Sequence, residues 1–167
     1  MSYRNKTYVA FDGDNDMWAY RLMTAWKSNE NIDFNFYNAH DINSARDTST
    51  EESIKAQLRI RMENAKQMIL LVGEKTKDLR KFVPWEIELA RKKDIPIIVA
   101  NLNRERGYDS TLCPSAIGSG VYTIHVSFNA KIIQYALDNF PAQYDRDKEE
   151  KQGNYHYIDS VYDNLGL

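Results

Sequence analysis

Two apolar runs govern what this chain can fold into. Met68-Ile69-Leu70-Leu71-Val72 is uninterrupted and stops at Gly73, and Ile95-Pro96-Ile97-Ile98-Val99-Ala100 follows with its proline near the start. A run without polar alternation fits a strand covered on both faces, the situation of a central strand in a parallel sheet. Tyr8–Phe11 reads as a shorter buried strand, and Ile32–Phe36 and Val121–Phe128 alternate like half-buried ones. Helical spacing separates them. Residues 15–27 put Trp18, Leu22, Ala25 and Trp26 on one side, which predicts the inner face of a helix. Ser49 and Glu52 form a capping-box signature for a helix carrying Ile54, Leu58 and Met62. Further helices are expected over 82–93 and 130–139. Strands alternating with helices predict an α/β protein: a flavodoxin-like, doubly wound, mainly parallel five-stranded sheet in the order 2-1-3-4-5, with helices on both faces.

The chain has 167 residues, enough for one domain with an appendage. Its 43% hydrophobic and 28% charged content fits a folded chain rather than a disordered one. With a net charge of −2 there is no basic field to hold nucleic acid or an anionic membrane, and neither is expected as a partner. One cysteine, Cys113, cannot form an internal disulfide. Together with the lack of a signal-peptide pattern or a long apolar stretch, it points to a cytoplasmic setting. Leu112 and Pro114 beside it suggest a packed loop rather than a nucleophile. His40, His125 and His156 are scattered and show no zinc-ligand spacing, so no metal is expected. Residues 1–141 are expected to form the main domain. In 142–167, a polar linker over 143–154 leads to an amphipathic helix with Ile158, Val161, Tyr162 and Leu165 on one face, suited to docking on the domain.

Ligands of an open parallel sheet bind beyond the carboxyl ends of its strands. Three segments fall there: Asp12-Gly13-Asp14-Asn15-Asp16, Asn38-Ala39-His40-Asp41, and Gly73 to Glu86. The last leads into a helix. At about 100° per residue, with Trp85 at about 0°, Glu86 falls inside the arc of Phe82, Leu89, Ala90 and Val83, and Glu88 falls outside it. Glu86 therefore points into the protein. A buried carboxylate is costly, and a position in the first turn, with its free N–H groups, reduces the cost. Pro84 fits a helix start nearby. The plain alternative is an ordinary glutamate at a helix start, partnered by Lys93. The Asp/Asn cluster has its own alternatives: turns and caps, or a magnesium site like that of phosphoryl-receiver domains. A receiver needs an aspartate at the end of the third strand, where this chain has Leu71-Val72-Gly73-Glu74. A dinucleotide fingerprint is also missing after the first strand.

Tyr8-Val9-Ala10-Phe11-Asp12-x-Asp14-Asn15-Asp16, then Asp41-Ile42, then Ile69-Leu70-Leu71-Val72-Gly73-x-x-Thr76 and Val83-Pro84-Trp85-Glu86-Ile87 together resemble the TIR-like family, including its antiphage sensors, over roughly residues 6–103. The resemblance implies an NAD-processing enzyme that cleaves the nicotinamide–ribose bond. NAD is then a substrate, with no cofactor. A cyclic ADP-ribose-type product would activate a separate effector protein as a diffusible signal. By the same resemblance Glu86 matches the family's catalytic glutamate, with Phe82 in place of a tryptophan, Val83 of a cysteine and Arg80 of a serine. Phe11, Asp12, Asn15, His40, Asp41, Gly73, Thr76 and Trp85 are the expected substrate-binding residues. Phe11 is expected to stack on a ring, and the loop from 38 to 48 to close over the ligand. Composite sites shared between protomers occur in such enzymes, which makes a homo-oligomer compatible with this reading. The competing functions are a non-enzymatic association module and, behind it, a receiver-like nucleotide/magnesium switch using Asp12 and Asp14.

Overall fold

A computed structural model describes residues 7–29, 50–118 and 120–167. One sheet runs β1 (Thr7–Ala10), β2 (Gln67–Val72), β3 (Ile97–Asn101), β4 (Tyr122–Ser127) and β5 (Gly153–His156), in that spatial order. Every pairing is parallel, with Val9 opposite Ile69, Ile69 opposite Ile98, Ile98 opposite Ile124 and Ile124 opposite Tyr155. The helices are α1 (Met17–Lys27), α2 (Glu51–Glu63), α3 (Phe82–Lys92), α4 (Ala130–Asp147) and α5 (Asp159–Asn164).

Side chains alternate across the sheet and feed two cores. On one face Val9, Ile69, Leu71, Ile98, Ile124 and Val126 meet Ala19, Tyr20 and Met23 of α1, the inner side of α4, and Tyr162 of α5. On the other, Tyr8, Ala10, Met68, Leu70, Ile97 and Val99 meet α2, α3, and Cys113 and Ile117 of the long loop after β3. Burial on both faces is why β2 and β3 read as unbroken apolar runs. The fold is the expected flavodoxin-like α/β arrangement, with helices on both faces.

β1 to β4 stand in the order the expected topology assigns to those segments. Ile32–Phe36, expected beyond β1, lies outside the described residues. At the opposite edge the structure adds β5, which begins in the last two residues of the stretch read as a polar linker and runs on to His156. β5 has no apolar pattern because polar groups hold it. The Gly153 N–H donates to the Val121 carbonyl at 3.0 Å, and Asn154 Oδ1 accepts from Thr123 Oγ1 at 2.8 Å. The helix expected to stop at Asn139 runs through Pro141 to Asp147. Phe140 is fully buried and Tyr144 stacks on Tyr122, so aromatic contacts flank the proline. They offset an interior-proline cost of roughly 3 kcal/mol. The inner face of α1 also differs. Ala19, Tyr20 and Met23 are buried, while Trp18 is 53% and Leu22 40% exposed. Tyr20 takes the core position by stacking on Phe11 at 4.8 Å.

Candidate functional site

The turns after β1 and β2 lie side by side at the carboxyl ends of their strands, and one knot of polar groups joins them. Asp12 is 2% exposed. Its Oδ1 accepts from the backbone N–H of Asp14 at 3.0 Å and of Asn15 at 3.3 Å, and its Oδ2 from Asn15 Nδ2 at 2.7 Å. Asp12 and Asn15 thus shape the turn that starts α1, the role expected of short polar side chains there. Asp16 follows and is buried at 6% exposure. It packs against Gly73, where a Cβ would lie 2.6 Å from Asp16 Oδ1 and closer still to Oδ2. Thr76 is fully buried, and its Oγ1 accepts from the Gly73 N–H at 2.8 Å. Burial pushes the Asp16 carboxyl up to about 6; Asp12 adds to the rise, and a hydrogen bond from Thr76 opposes it. Gly73 and Thr76, expected to contact substrate, serve here to lock the two turns together.

Glu86 projects from α3 into the opposite core. It is 2% exposed, and the Tyr8 hydroxyl of β1 donates to its Oε2 at 2.6 Å. The helix begins at Phe82, so Glu86 sits in the second turn rather than the first, and Pro84 is the third helical residue. Proline costs no hydrogen bond there, because the first amides have no intrahelical acceptor. What compensates Glu86 is therefore not the helix end alone but the Tyr8 phenol, a strong charge-assisted bond when the carboxylate is ionised. Above it, a cavity of about 270 Å³ is lined by Asp12, Asp14, Leu79, Arg80, Lys81, Phe82 and Val83. Phe82 and Val83 precede Glu86 by four and three residues, which places all three on one side of the helix, and helical side chains lean toward the N-terminus. Glu86 thus lies one turn below the cavity and is not part of its wall.

The other expected residues are dispersed. Phe11 is 4% exposed and stacked on Tyr20, so its ring belongs to the core beneath α1. Trp85 faces α2, where the Lys55 ammonium and the Arg59 guanidinium lie 5.7 Å and 5.5 Å from its ring. Asn15 and Gly73 line a second cavity of about 320 Å³ with Asp16, Trp18 and Lys75. His40 and Asp41 lie outside the described residues. Tyr8 was legible as a strand residue, but no local pattern showed which side chain it would face. Among the described residues no three His, Cys, Asp or Glu side chains are grouped to hold a metal, and no helix is long and apolar enough to cross a membrane.

An open parallel sheet with helices on both faces and polar turns at its strand ends defines a flavodoxin-like α/β domain. The family model described as the Thoeris protein ThsB, TIR-like domain, matches residues 8–106. That match spans more than half of the chain, and the protein belongs to this family, which associates it with Thoeris antiphage defence. The matched span ends before β4, so α4, β5 and α5 lie beyond it.

Proposed function

We propose that this protein processes NAD, cleaving the bond between nicotinamide and ribose C1′ at a site centred on Glu86. The observation that carries the reading is the buried Glu86–Tyr8 pair, one helical turn beneath a cavity with two cations on its wall, in a chain of this family. The bonding pair leaves with nicotinamide, which departs neutral, and C1′ acquires oxocarbenium character. An ionised Glu86 stabilises that charge and orients the ribose hydroxyls. Arg80 and Lys81 supply the positive charge for the pyrophosphate. Capture of C1′ by a hydroxyl or ring nitrogen of the same ADP-ribosyl group, with loss of any proton the nucleophile carries, gives a cyclic product. Capture by water gives ADP-ribose. The cyclic product would then act on a separate effector protein as a diffusible cytoplasmic signal.

Because Glu86 stands below the cavity wall, contact with ribose requires the first turn of α3 to shift. A resting enzyme with low basal turnover follows. The test is to incubate the protein with NAD, alone and with lysate from phage-infected cells, beside Glu86→Gln, and to resolve the products by mass spectrometry. We expect nicotinamide and a cyclic product from the wild type, lowered on the order of 100-fold by the substitution, and no effect of a metal chelator. A folded Glu86→Gln protein with full turnover sinks the assignment. Absence of product even in lysate favours a second reading, an association module, for which the exposed Trp18 and Leu22 on α1 are the supporting observation.

A further inference from the structure

Past the carboxyl ends of β3 and β4 lies a cavity of about 390 Å³, on the sheet face opposite Glu86. Its wall is aromatic. Phe128 is met edge-on by Trp18 at 5.9 Å and tilted by Trp26 at 4.9 Å between ring centroids. Leu22 completes the apolar side, and α1 leaves Trp18 and Leu22 largely exposed there. Two arginines share the same cavity. Arg106 is committed: its guanidinium lies 4.1 Å over the Tyr162 ring and 3.2 Å from Asp159. Arg104 has no side-chain partner among the described residues. Its backbone sits at φ 68°, unfavourable for a side chain of this size, and its N–H is tied to the Asn101 carbonyl at 3.0 Å. Among the described residues no Asp or Glu side chain lines this cavity, and its one acidic group is the terminal carboxyl of Leu167.

We propose that this cavity is a second ligand site, separate from Glu86, for a free nucleotide whose base packs on the exposed Trp18, itself seated on buried Phe128, and whose phosphate meets Arg104. The size falls within the range of small-ligand pockets. A planar base suits a preformed aromatic wall, and an unpaired guanidinium suits a phosphate. The overall charge of −2 gives no general attraction for anions, so the local cation is what selects the ligand. Trp18 and Leu102 also line the neighbouring cavity that holds Asp16 and Lys75.

The experiment is titration calorimetry of the protein with ADP, which carries no nicotinamide–ribose bond and so is not consumed by the reaction proposed at Glu86. The same titration is repeated with Trp18→Ala and Arg104→Ala, with Arg80→Ala as the control at the other cavity. Trp18 and Arg104 lie at the surface, and a thermal melt confirms that each variant folds. We expect a saturable binding event that either substitution weakens on the order of tenfold or more and that persists in Arg80→Ala, which removes only what binds above Glu86. Adenosine or inorganic phosphate alone should bind at least about tenfold more weakly than ADP. No saturable binding overturns the proposal. So does binding that only Arg80→Ala weakens, which would place the nucleotide above Glu86.

Discussion

Asp16 and His125 are both buried and titrate in overlapping windows with opposite consequences. The Asp16 carboxyl is raised from 3.8 to about 6, chiefly by burial. The folded state therefore holds a proton there that the unfolded chain has released, and stability falls as pH rises from about 4 to 6. His125 is lowered from 6.5 to about 4, again chiefly by burial. Its Nε2 lies 3.0 Å from Asn154 Oδ1, which can only accept, so Nε2 carries the hydrogen of a neutral ring. The unfolded chain takes up a proton first on acidification, so this group makes stability rise from about pH 4 to 6.5. Each shift corresponds to about 3–3.5 kcal/mol at about 1.4 kcal/mol per unit, and the two slopes oppose each other. Asp16→Asn should therefore stabilise the protein at pH 8, by about 1–3 kcal/mol, with the gain vanishing near pH 4. It should also unmask a steeper loss of stability on acidification than the wild type shows. Urea midpoints at several pH values check both. A variant with no gain at pH 8 would mean that the folded protein already stabilises the Asp16 carboxylate.

At the scale of elements, the sequence announced what hydrophobic periodicity can announce. β2 and β3 were legible because burial on both faces removes every polar residue from the run. α2 was legible because Ile54, Leu58 and Met62 repeat on one side and are the residues buried. α2 starts one residue later than the capping box implies, with Thr50 as its cap: Thr50 Oγ1 accepts from the Ser53 N–H. α1 misled because two apolar arcs compete on it, and the larger is not the one that meets the sheet. β5 was silent because a strand held by Asn154 and backbone bonds needs no apolar side chain. Glu86 could be placed facing inward from the helical angle alone, but its partner Tyr8 is 78 residues away and no local pattern encodes the pairing. The turn-to-turn lock was equally hidden, and it has a testable cost. A methyl group at Gly73 would overlap the Asp16 carboxylate, so Gly73→Ala should destabilise by about 1–3 kcal/mol. Adding Asp16→Ala should recover part of that loss, the coupling expected of residues in contact. Additive losses in the double variant, measured by denaturant unfolding, would show that strain elsewhere is responsible.

Over the whole molecule, the question is where the folding unit ends. The family match stops at Arg106 and the sheet does not. β5 pairs with β4 along its length, from Gly153 opposite Tyr122 to His156 opposite His125. Tyr162 of α5 is fully buried, and its hydroxyl accepts from the Ser127 N–H at the end of β4, 3.2 Å away. The tail is therefore a layer of the core that closes the edge of the sheet. Losing one buried tyrosine costs on the order of 3–5 kcal/mol, against a total stability of about 5–15 kcal/mol. A chain cut after Asp147 also loses the β5 ladder and the acceptor for the Thr123 and His125 side chains. It should fail to show a cooperative thermal transition at 25 °C and above, whereas Tyr162→Phe, which deletes one hydroxyl, should remain folded with a loss of about 1 kcal/mol. A truncated chain that melts cooperatively near the full-length temperature would put the boundary of the unit at the end of α4. If instead the cut chain unfolds and Tyr162→Phe does not, the 20 residues after Asp147 are part of what positions β4, and with it Ser127, Phe128 and the cavity at its carboxyl end.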